Sequence, residues 1–331
     1  MRAVVIRAWQ EPWDLTVSET DVPVCGADAV RIAVRAVPVS HALGLLVRGK
    51  YQRKPDFPFV PGNTVVGEIL EVGANAGRGL RVGQRVIASV EFGALAEQVV
   101  APAVNVYPLP GGVDAAAATA INTSYNSVYA ALTWPRLLDL RAGQTLLVHG
   151  AAGGAGSAAV EIARELGVRV IATASTEERR AWVRGRGADV VLASDPATLR
   201  DAVRAATGGK GVDAVLDTVG GELFTQSIRC LAPEGRIVPL GFASGRIPEV
   251  AANLILVKNI SVCGLYMGYY KIDARDRYEG EVRAIFDTLG AWLAAGRINP
   301  KVFARLSLSN VGEAFRLVED RGRLGHVVLE P

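Results

Sequence analysis

A glycine-rich turn is the strongest chemical signal in the sequence. The apolar run at 145–149 leads into Gly-Ala-Ala-Gly-Gly-Ala-Gly at 150–156, and a helical pattern follows. A turn that binds a diphosphate needs glycines for the tight reversal, for close approach of the backbone to the phosphates and for packing of helix on strand. The free N–H groups at the start of the helix then hold the anion. A small-residue turn that merely joins a strand to a helix is the alternative, but the order strand, turn, helix predicts a dinucleotide site.

The end of the next predicted strand indicates which dinucleotide binds. NAD enzymes usually place Asp or Glu there, about 20 residues after the turn, to bind the ribose 2′-hydroxyl. Here residues 172–176 are Ala-Thr-Ala-Ser-Thr, without a carboxylate. Glu177 and Glu178 follow where acidic side chains favour a helix start, and Arg179 or Arg180 could bind a 2′-phosphate, unless both form a solvated helix face. The pattern favours NADPH over NADH.

Two kinds of hydrophobic pattern divide the chain. Up to about residue 109, short alternating segments cut by Gly and Pro predict an all-β, barrel-like region. From about 115 to 264, six apolar strands alternate with helical patterns, which predicts a doubly wound parallel sheet. The strands are expected at 145–149, 169–173, 190–193, 212–217, 236–240 and 260–263. A buried helix is expected within 115–135, and helices at 279–295 and 311–319 should pack back on the first region.

Composition argues against several classes of protein. The 331 residues include 36 Lys plus Arg and 33 Asp plus Glu without a basic run, so no nucleic-acid partner is expected. The three cysteines are far apart and form neither a disulfide framework nor a Cys-rich zinc lobe. The charge-free stretch at 115–135 is too polar for lipid, and the first ten residues lack the apolar core of a signal peptide. We therefore expect a cytoplasmic protein with no membrane partner.

Over nearly its whole length the chain resembles the medium-chain dehydrogenase/reductases, within them the zinc-independent quinone oxidoreductase (zeta-crystallin-like) branch. The matching motifs are Phe-Val-Pro-Gly at 59–62, Gly-Gln-Arg-Val at 83–86, the glycine turn, Gly-Ala-Asp at 187–189, Asp-Thr-Val-Gly-Gly at 217–221, Gly-Arg at 235–236 and Gly-His-Val-Val-Leu at 325–329. The resemblance implies an α/β protein with a GroES-like β-barrel catalytic domain at 1–115 and 265–331. It further implies a Rossmann domain at 116–264, NADPH in the cleft between the domains, and a homodimer.

The positions of the family's catalytic zinc ligands have other residues in this chain. The family's Cys-His is Ser40-His41, its Gly-His-Glu is Gly62-Asn63-Thr64, and residues 121–124 include no Cys. A catalytic zinc site needs three converging Cys, His or carboxylate ligands, so no metal is expected. The resemblance then implies an enzyme that transfers hydride from NADPH to an electrophilic small molecule, a quinone or an α,β-unsaturated carbonyl (enone).

One stretch departs from the quinone reductases and leaves alternatives open. The family's Val-Asn-Pro-x-Asp with a following Tyr is Val-Ser-His-Ala-Leu-Gly-Leu at 39–45. A dedicated 2-enoyl thioester or biosynthetic enoyl reductase is therefore a second hypothesis. A non-catalytic NADPH-binding protein is a third, because relatives of this branch serve as lens crystallins.

The resemblance also implies site residues. Those expected to bind the cofactor are Gly150, Ala152, Gly153, Gly154, Ala155, Gly156, Ser175, Arg179, Ser194, Val219, Phe242, Ser244 and Gly264. The candidates for the catalytic proton donor are Tyr51, His41 and Ser40, and Asn63 could donate a hydrogen bond to a substrate carbonyl. Each also has a structural interpretation: a lid aromatic, a structural histidine or a turn residue. A polar cluster at 122–126, with Asn122 and Tyr125, could contact nicotinamide or substrate.

Overall fold

The computed structural model describes residues 1–320 and 322–331, and the chain divides into two compact units. The first comprises Met1–Thr123 and Gly268–Pro331, and the second comprises Ser124–Met267. The chain thus passes from one unit to the other twice, at points a few residues beyond 115 and 264. Each unit has a sheet and a hydrophobic core of its own.

Short strands arranged around one long strand form the N-terminal part of the first unit. Its elements are β1 (Arg2–Val4), β2 (Val17–Glu19), β3 (Ala29–Val39), α1 (His41–Val47), β4 (Thr64–Val72), β5 (Arg85–Ser89), β6 (Gln98–Pro102), β7 (Val106–Pro108) and α2 (Ala115–Ala120). Strand β3 pairs antiparallel with β4 and β6, β4 pairs with β5, and β5 pairs with β7. Along β3, Val30, Ile32 and Val34 are buried, which is the alternation expected for a strand with one face on a core.

The second unit alternates strands and helices. Its elements are α3 (Asn126–Thr133), β8 (Thr145–Val148), α4 (Gly154–Glu165), β9 (Arg169–Ala174), α5 (Glu177–Gly185), β10 (Val190–Ala193), α6 (Pro196–Ala206), β11 (Val212–Asp217), α7 (Gly221–Cys230), β12 (Leu231–Pro239), α8 (Ala252–Lys258) and β13 (Ser261–Val262). All pairings are parallel, in the order β10-β9-β8-β11-β12-β13. The predicted doubly wound sheet is confirmed, and the strand order reverses between β8 and β11. In such sheets ligands bind at that point, beyond the carboxyl ends of the strands.

The C-terminal segment returns to the first unit. It contains α9 (Arg275–Ala294), β14 (Val302–Ser307), α10 (Val311–Glu319) and β15 (His326–Glu330). Strand β15 pairs parallel with β14 and antiparallel with β3, so the last residues complete the sheet begun near the N-terminus. Helix α10 buries Val311, Ala314 and Phe315 in the core of the first unit. The prediction that both C-terminal helices pack on the first region is confirmed.

The segment expected to be one buried helix consists of three pieces. Helices α2 and α3 are joined by a π-helical turn at Ile121–Tyr125, and a second π-helical turn spans Tyr269–Asp273. Burial is as expected, since Ala116, Ile121 and Val128 are inaccessible to solvent. The pattern of small and apolar residues is continuous, so the sequence has no signal for the widened turn or for the crossing between units after Thr123. Among the described residues, no helix is long and apolar enough to span a membrane.

Candidate functional site

The glycine turn lies between β8 and α4, at the switch point of the parallel sheet. Gly150 has a φ of 65°, and a Cβ built there would lie 2.4 Å from Thr218 Oγ1. A Cβ on Gly156 would lie 2.2 Å from the Gly150 carbonyl oxygen, inside the packing of α4 on the turn. Both positions therefore require glycine: the first for its conformation and its neighbour, the second for its close approach to backbone.

The N-terminus of α4 offers unpaired backbone donors. Gly153 is the N-cap residue, and no side chain caps the helix there. The N–H of Gly153 donates to the Gly150 carbonyl at 2.9 Å, and the first bond of the helix runs from Ser157 to Gly153 at 2.8 Å. The N–H groups of Gly154, Ala155 and Gly156 accordingly lack intrahelical acceptors and, with the helix dipole, favour an anion. These residues fit a nucleotide diphosphate, because donors and small side chains coincide.

A buried histidine fixes the start of this turn. His149 is inaccessible to solvent, with Nδ1 2.9 Å from Thr173 Oγ1 and Nε2 2.6 Å from Ser227 Oγ. Burial lowers the pKa of His149 to about 3, so the imidazole is neutral at physiological pH. Thr218 Oγ1 donates to the His149 carbonyl at 3.0 Å. His149 thus joins β8, β9 and α7 beneath the turn and acts as a structural residue.

The loops that follow β11 and β12 are hydrogen-bonded to each other. The Ser244 N–H donates to the Val219 carbonyl at 2.9 Å, and Phe242 is 44% exposed beside Gly220. The Asp217 carboxylate accepts from the N–H groups of Val219 and Gly220, at 2.7 and 3.0 Å. Burial raises the pKa of Asp217, and these N–H bonds partly offset that effect. Asp217 therefore shapes the turn, while Val219, Phe242 and Ser244 lie together at the carboxyl end of the sheet.

The carboxyl end of β9 presents Ser175 and the start of α5. Thr176 caps α5 by accepting from the Arg179 N–H, and the helix begins at Glu177 as predicted. Arg180 forms an ion pair with Glu177 at 2.9 Å, and its guanidinium also donates to the Ala174 carbonyl at 3.4 Å. The Arg179 guanidinium makes no ion pair or hydrogen bond with another described residue.

Ser194 and Gly264 follow other strands of the same sheet. The Ser194 N–H donates to the Ala174 carbonyl at 3.3 Å, which places Ser194 beside the end of β9. Gly264 is exposed and follows β13, the edge strand. The predicted cofactor residues of the second unit therefore all lie at the carboxyl ends of the strands of its parallel sheet.

The first unit places its candidate residues at the start of α1 and on the single loop that connects α1 to β4. Ser40 Oγ accepts from the Leu43 N–H at 3.2 Å and so caps α1, while His41 is the exposed first residue of that helix. Tyr51 is partly buried against the core of this unit. Asn63 is exposed immediately before β4.

A chain of hydrogen bonds ends at Asn63. Lys271 Nζ donates to Asn122 Oδ1 at 2.8 Å, Asn122 Nδ2 donates to Thr64 Oγ1 at 2.9 Å, and Thr64 Oγ1 donates to Asn63 Oδ1 at 3.2 Å. A lysine ammonium has donors only, so it orients the Asn122 amide with its oxygen toward Nζ. The Thr64 hydroxyl must then accept from Asn122 and donate to Asn63 Oδ1. The Nδ2 donor of Asn63 is therefore not used within this series of hydrogen bonds. Asn63 Nδ2 donates to no other residue that the structure describes.

Lys271 is the functional candidate that the sequence did not reveal. It lies on the second π-helical turn with its side chain partly buried, and burial lowers its pKa to about 8. The only local signal is one lysine within an aromatic stretch, since its partner Asn122 is 149 residues away. Of the predicted polar cluster, Asn122 takes part in this network. The hydroxyl of Tyr125 is buried and donates to Glu161 at 2.7 Å.

No group of three or more His, Cys, Asp or Glu side chains placed to hold a metal ion occurs among the described residues. Ser40 and Asn63, which the resemblance assigns to zinc-ligand positions, cap α1 and end the hydrogen-bond network respectively.

Comparisons with known proteins match both units. Residues 26–111 match the alcohol dehydrogenase GroES-like domain, and residues 154–290 match the zinc-binding dehydrogenase family. The chain is 35% identical to rat quinone oxidoreductase-like protein 2, over 99% of this chain and 91% of that protein. It is 30% identical to human quinone oxidoreductase, over 99% of this chain and 97% of that protein. The structure of a mycobacterial protein complexed with NADPH superposes with a TM-score of 0.89 at 30% identity, over the whole of both chains.

A parallel nucleotide-type sheet and a GroES-like unit together define a two-domain dehydrogenase/reductase fold. The chain belongs to the medium-chain dehydrogenase/reductase superfamily, in its zinc-independent quinone oxidoreductase-like branch.

Proposed function

We propose that the protein is an NADPH-dependent, zinc-independent oxidoreductase that reduces a quinone or an α,β-unsaturated carbonyl. The observation that carries this proposal is the diphosphate cradle at Gly150 and Gly156, where a side chain would collide with backbone or with Thr218. The relatives named quinone oxidoreductase and the related structure complexed with NADPH support it. When bound, NADPH supplies the hydride that reduces the acceptor.

The second unit supplies the nucleotide-binding residues. The N–H groups of Gly154, Ala155 and Gly156 hold the diphosphate, with Ala152 and Gly153 in the turn beside them. Ser175 and Arg179 bind the 2′-phosphate, because the neighbouring Arg180 is already engaged by Glu177. The adenosine and nicotinamide ends are assigned to the remaining residues of the strand ends: Ser194, Val219, Phe242, Ser244 and Gly264.

The first unit supplies the residues that handle the acceptor. Asn63 presents Nδ2 as a donor to the carbonyl oxygen, on which negative charge develops during reduction. The proton that this oxygen or its neighbouring carbon takes up comes from Tyr51, His41 or Ser40. Of the three, His41 is the most exposed, and Ser40 already uses an oxygen lone pair to cap α1. Each can donate from its own polar hydrogen without a metal.

We further propose that the protein is a cytoplasmic homodimer formed at the β13 edge of the sheet. Strand β13 pairs only with β12 among the described strands. The adjacent apolar side chains are exposed, with Leu256 at 77%, Val257 at 73% and Val262 at 37%. An unpaired apolar edge of this kind favours pairing with a second copy. Light scattering on the purified protein should give twice the mass of the chain, and a monomer at micromolar concentration would reject this interface.

The function is tested by following NADPH and NADH oxidation with ortho-quinones, para-quinones, enones and 2-enoyl thioesters, each with and without a chelator. We expect turnover with NADPH on quinones or enones that the chelator does not change. Preference for acyl thioesters would instead identify a dedicated enoyl reductase, which the altered stretch at 39–45 leaves open. Tight NADPH binding without turnover of any acceptor would refute the enzymatic proposal.

A further inference from the structure

The hydrogen-bond network behind Asn63 starts at a cation. Lys271 Nζ is its only donor-only member, so the direction of every bond from Asn122 to Asn63 depends on the ammonium group. Asn122 and Thr64 are nearly inaccessible to solvent, with exposed fractions of 5% and 2%. Hydrogen bonds polarise one another at low local dielectric, and a charged first donor strengthens the last one. Asn63, an exposed residue, is therefore the end of a polarised hydrogen-bond network.

The first two residues of this network, Lys271 and Asn122, lie on π-helical turns. Asn122 lies in Ile121–Tyr125 and Lys271 in Tyr269–Asp273. Such turns widen a helix locally and are frequent at functional sites. The second turn is held from outside, because Arg53 forms ion pairs with both Asp273 and Glu91. The position of Lys271 is thus fixed by the fold.

With a pKa of about 8, the Lys271 ammonium is mostly protonated at pH 7, although it has no carboxylate counter-ion among the described residues. No carboxylate of the described residues lies within ion-pair distance of Nζ, and a partly buried ammonium in this position costs desolvation energy that an apolar side chain would avoid. A purely structural role would be met by a methionine of similar length. The retained charge points instead to a role in the chemistry of Asn63.

We propose that Lys271 is a positioning residue for acceptor reduction: through Asn122 and Thr64 it holds the Asn63 amide with Nδ2 toward the acceptor's carbonyl oxygen, and its charge stabilises the anion that forms there. This inference rests on the proposed function, since the anion is the product of hydride addition to a carbonyl acceptor. The acceptor contacts Asn63, and Lys271 acts through that contact.

The protonation of Lys271 itself, and not the titratable groups near it, determines how pH acts on the network. Those of its own turn and of the packed helix α9 and loop are Tyr269, Tyr270, Asp273, Arg275, Asp276, Arg277, Tyr278, Glu279, Arg53 and Glu91. Asp273 pairs with Arg53, and Asp276 pairs with Arg275. Desolvation alone lowers the pKa of Lys271, to about 8. Above that pH the neutral amine can accept as well as donate, so the direction of the network is no longer imposed.

The kinetic test compares Lys271→Met, Lys271→Arg and the exposed control Lys301→Met. We expect Lys271→Met to lower kcat about tenfold to 100-fold with little change in the KM for NADPH, because oxyanion donors act in the transition state. The wild-type rate should fall above about pH 8. Lys271→Arg should keep much of the rate and move that fall to higher pH, because arginine stays protonated. Lys301→Met should match the wild type, and Lys271→Met with unchanged kcat and pH profile would overturn the inference.

Asn122→Asp provides a second variant for the same network. The carboxylate at position 122 still accepts from Lys271 but cannot donate to Thr64. The Thr64 hydroxyl should then donate to this carboxylate, and the Asn63 amide should turn so that its Nδ2 donates to Thr64. The loss in kcat should be comparable to that of Lys271→Met. A fully active Asn122→Asp enzyme would contradict this role of the hydrogen-bond network even if Lys271→Met did not fold.

A binding measurement separates this inference from the proposed function. 4-Nitrophenol resembles a reduced quinone, and its absorbance reports how much of it is phenolate. Wild-type protein should bind the phenolate form and lower the apparent pKa of the bound phenol, and Lys271→Met should abolish that shift. A Lys271-dependent shift without turnover of any quinone or enone would refute the proposed function and leave the site intact. Absence of a shift in the wild type would overturn the inference, whatever the turnover.

Discussion

Replacing Arg179 by alanine tests the cofactor assignment most directly. Arg179 is partly exposed on the first turn of α5, and its side chain has no partner among the described residues. Its guanidinium is therefore available to a 2′-phosphate bound beside Ser175. Hydrogen bonds to charged groups contribute about 1.5–3 kcal/mol, and partial solvent screening at this surface favours the lower end. A loss of about 1.5–2 kcal/mol corresponds to roughly 10- to 30-fold weaker NADPH binding. NADH lacks the phosphate, so its affinity should change less than about twofold.

The assay is direct titration of both nucleotides by fluorescence, with Arg184→Ala as the matched control. Arg184 lies further along the same helix and pairs with Glu177 at 2.9 Å, so its removal changes the charge of α5 without touching the strand end. The control should leave the ratio of the two affinities unchanged. Equal weakening of NADPH and NADH in Arg179→Ala would refute the 2′-phosphate role. A selective loss in Arg180→Ala instead would move the role to Arg180.

Two further predictions concern stability. The folded protein keeps His149 neutral down to a pKa of about 3, whereas the unfolded chain binds a proton below about 6.5, so acid favours unfolding by about 2 kcal/mol at pH 5. The His149→Gln variant has no imidazole to protonate, so its free energy of unfolding should decrease less at acid pH than that of the wild type. Urea unfolding at pH 7.5 and pH 5 measures this difference, and equal decreases in the two proteins would contradict the prediction. Gly156→Ala should lower the melting temperature and abolish NADPH binding, because its Cβ meets the Gly150 carbonyl at 2.2 Å. Gly280 lies within α9, and a Cβ built there would have no other atom within 4 Å. Gly280→Ala should therefore stabilise the folded protein by about 1 kcal/mol. A change of stability in the same direction for both variants would refute the packing argument.

The parallel sheet could be predicted because its central strands β8, β9 and β11 are buried on both faces and form continuous apolar runs. The runs at 190–193 and 212–217 coincide with β10 and β11. Strand β12 begins at Leu231, five residues before the predicted start at 236, where Ala-Pro-Glu-Gly argues against a strand. Leu231 pairs with Val212, and the register shifts before Arg236 pairs with Ala214. A bulge set by a neighbouring strand has no local signature.

The sequence reveals the nucleotide site of the second unit further than the acceptor site of the first. In the nucleotide site, strand, turn and helix are consecutive, and one short glycine-rich turn includes both Gly150 and Gly156. The acceptor site is not local in the sequence. Asn122 lies 58 residues from Thr64 and 149 residues from Lys271, and π-helical turns place both donors. Only the folded chain brings such polar side chains together, so sequence analysis could find Asn63 but not the cation behind it.

The chemistry expected of the acceptor site, Asn63 with its hydrogen-bond network, follows from how strongly its groups stabilise negative charge. A zinc ion polarises a carbonyl or alkoxide as a Lewis acid. At the corresponding position this chain has Asn63, an amide donor connected to Lys271 through two hydrogen-bonded side chains. An amide supported by a remote charge stabilises a developing anion less than a metal does, so under the proposed function the acceptor should already be electrophilic at the carbon that takes the hydride. Quinones and enones meet that requirement because their products delocalise the negative charge. Unactivated ketones should therefore react far more slowly, whatever the affinity for NADPH.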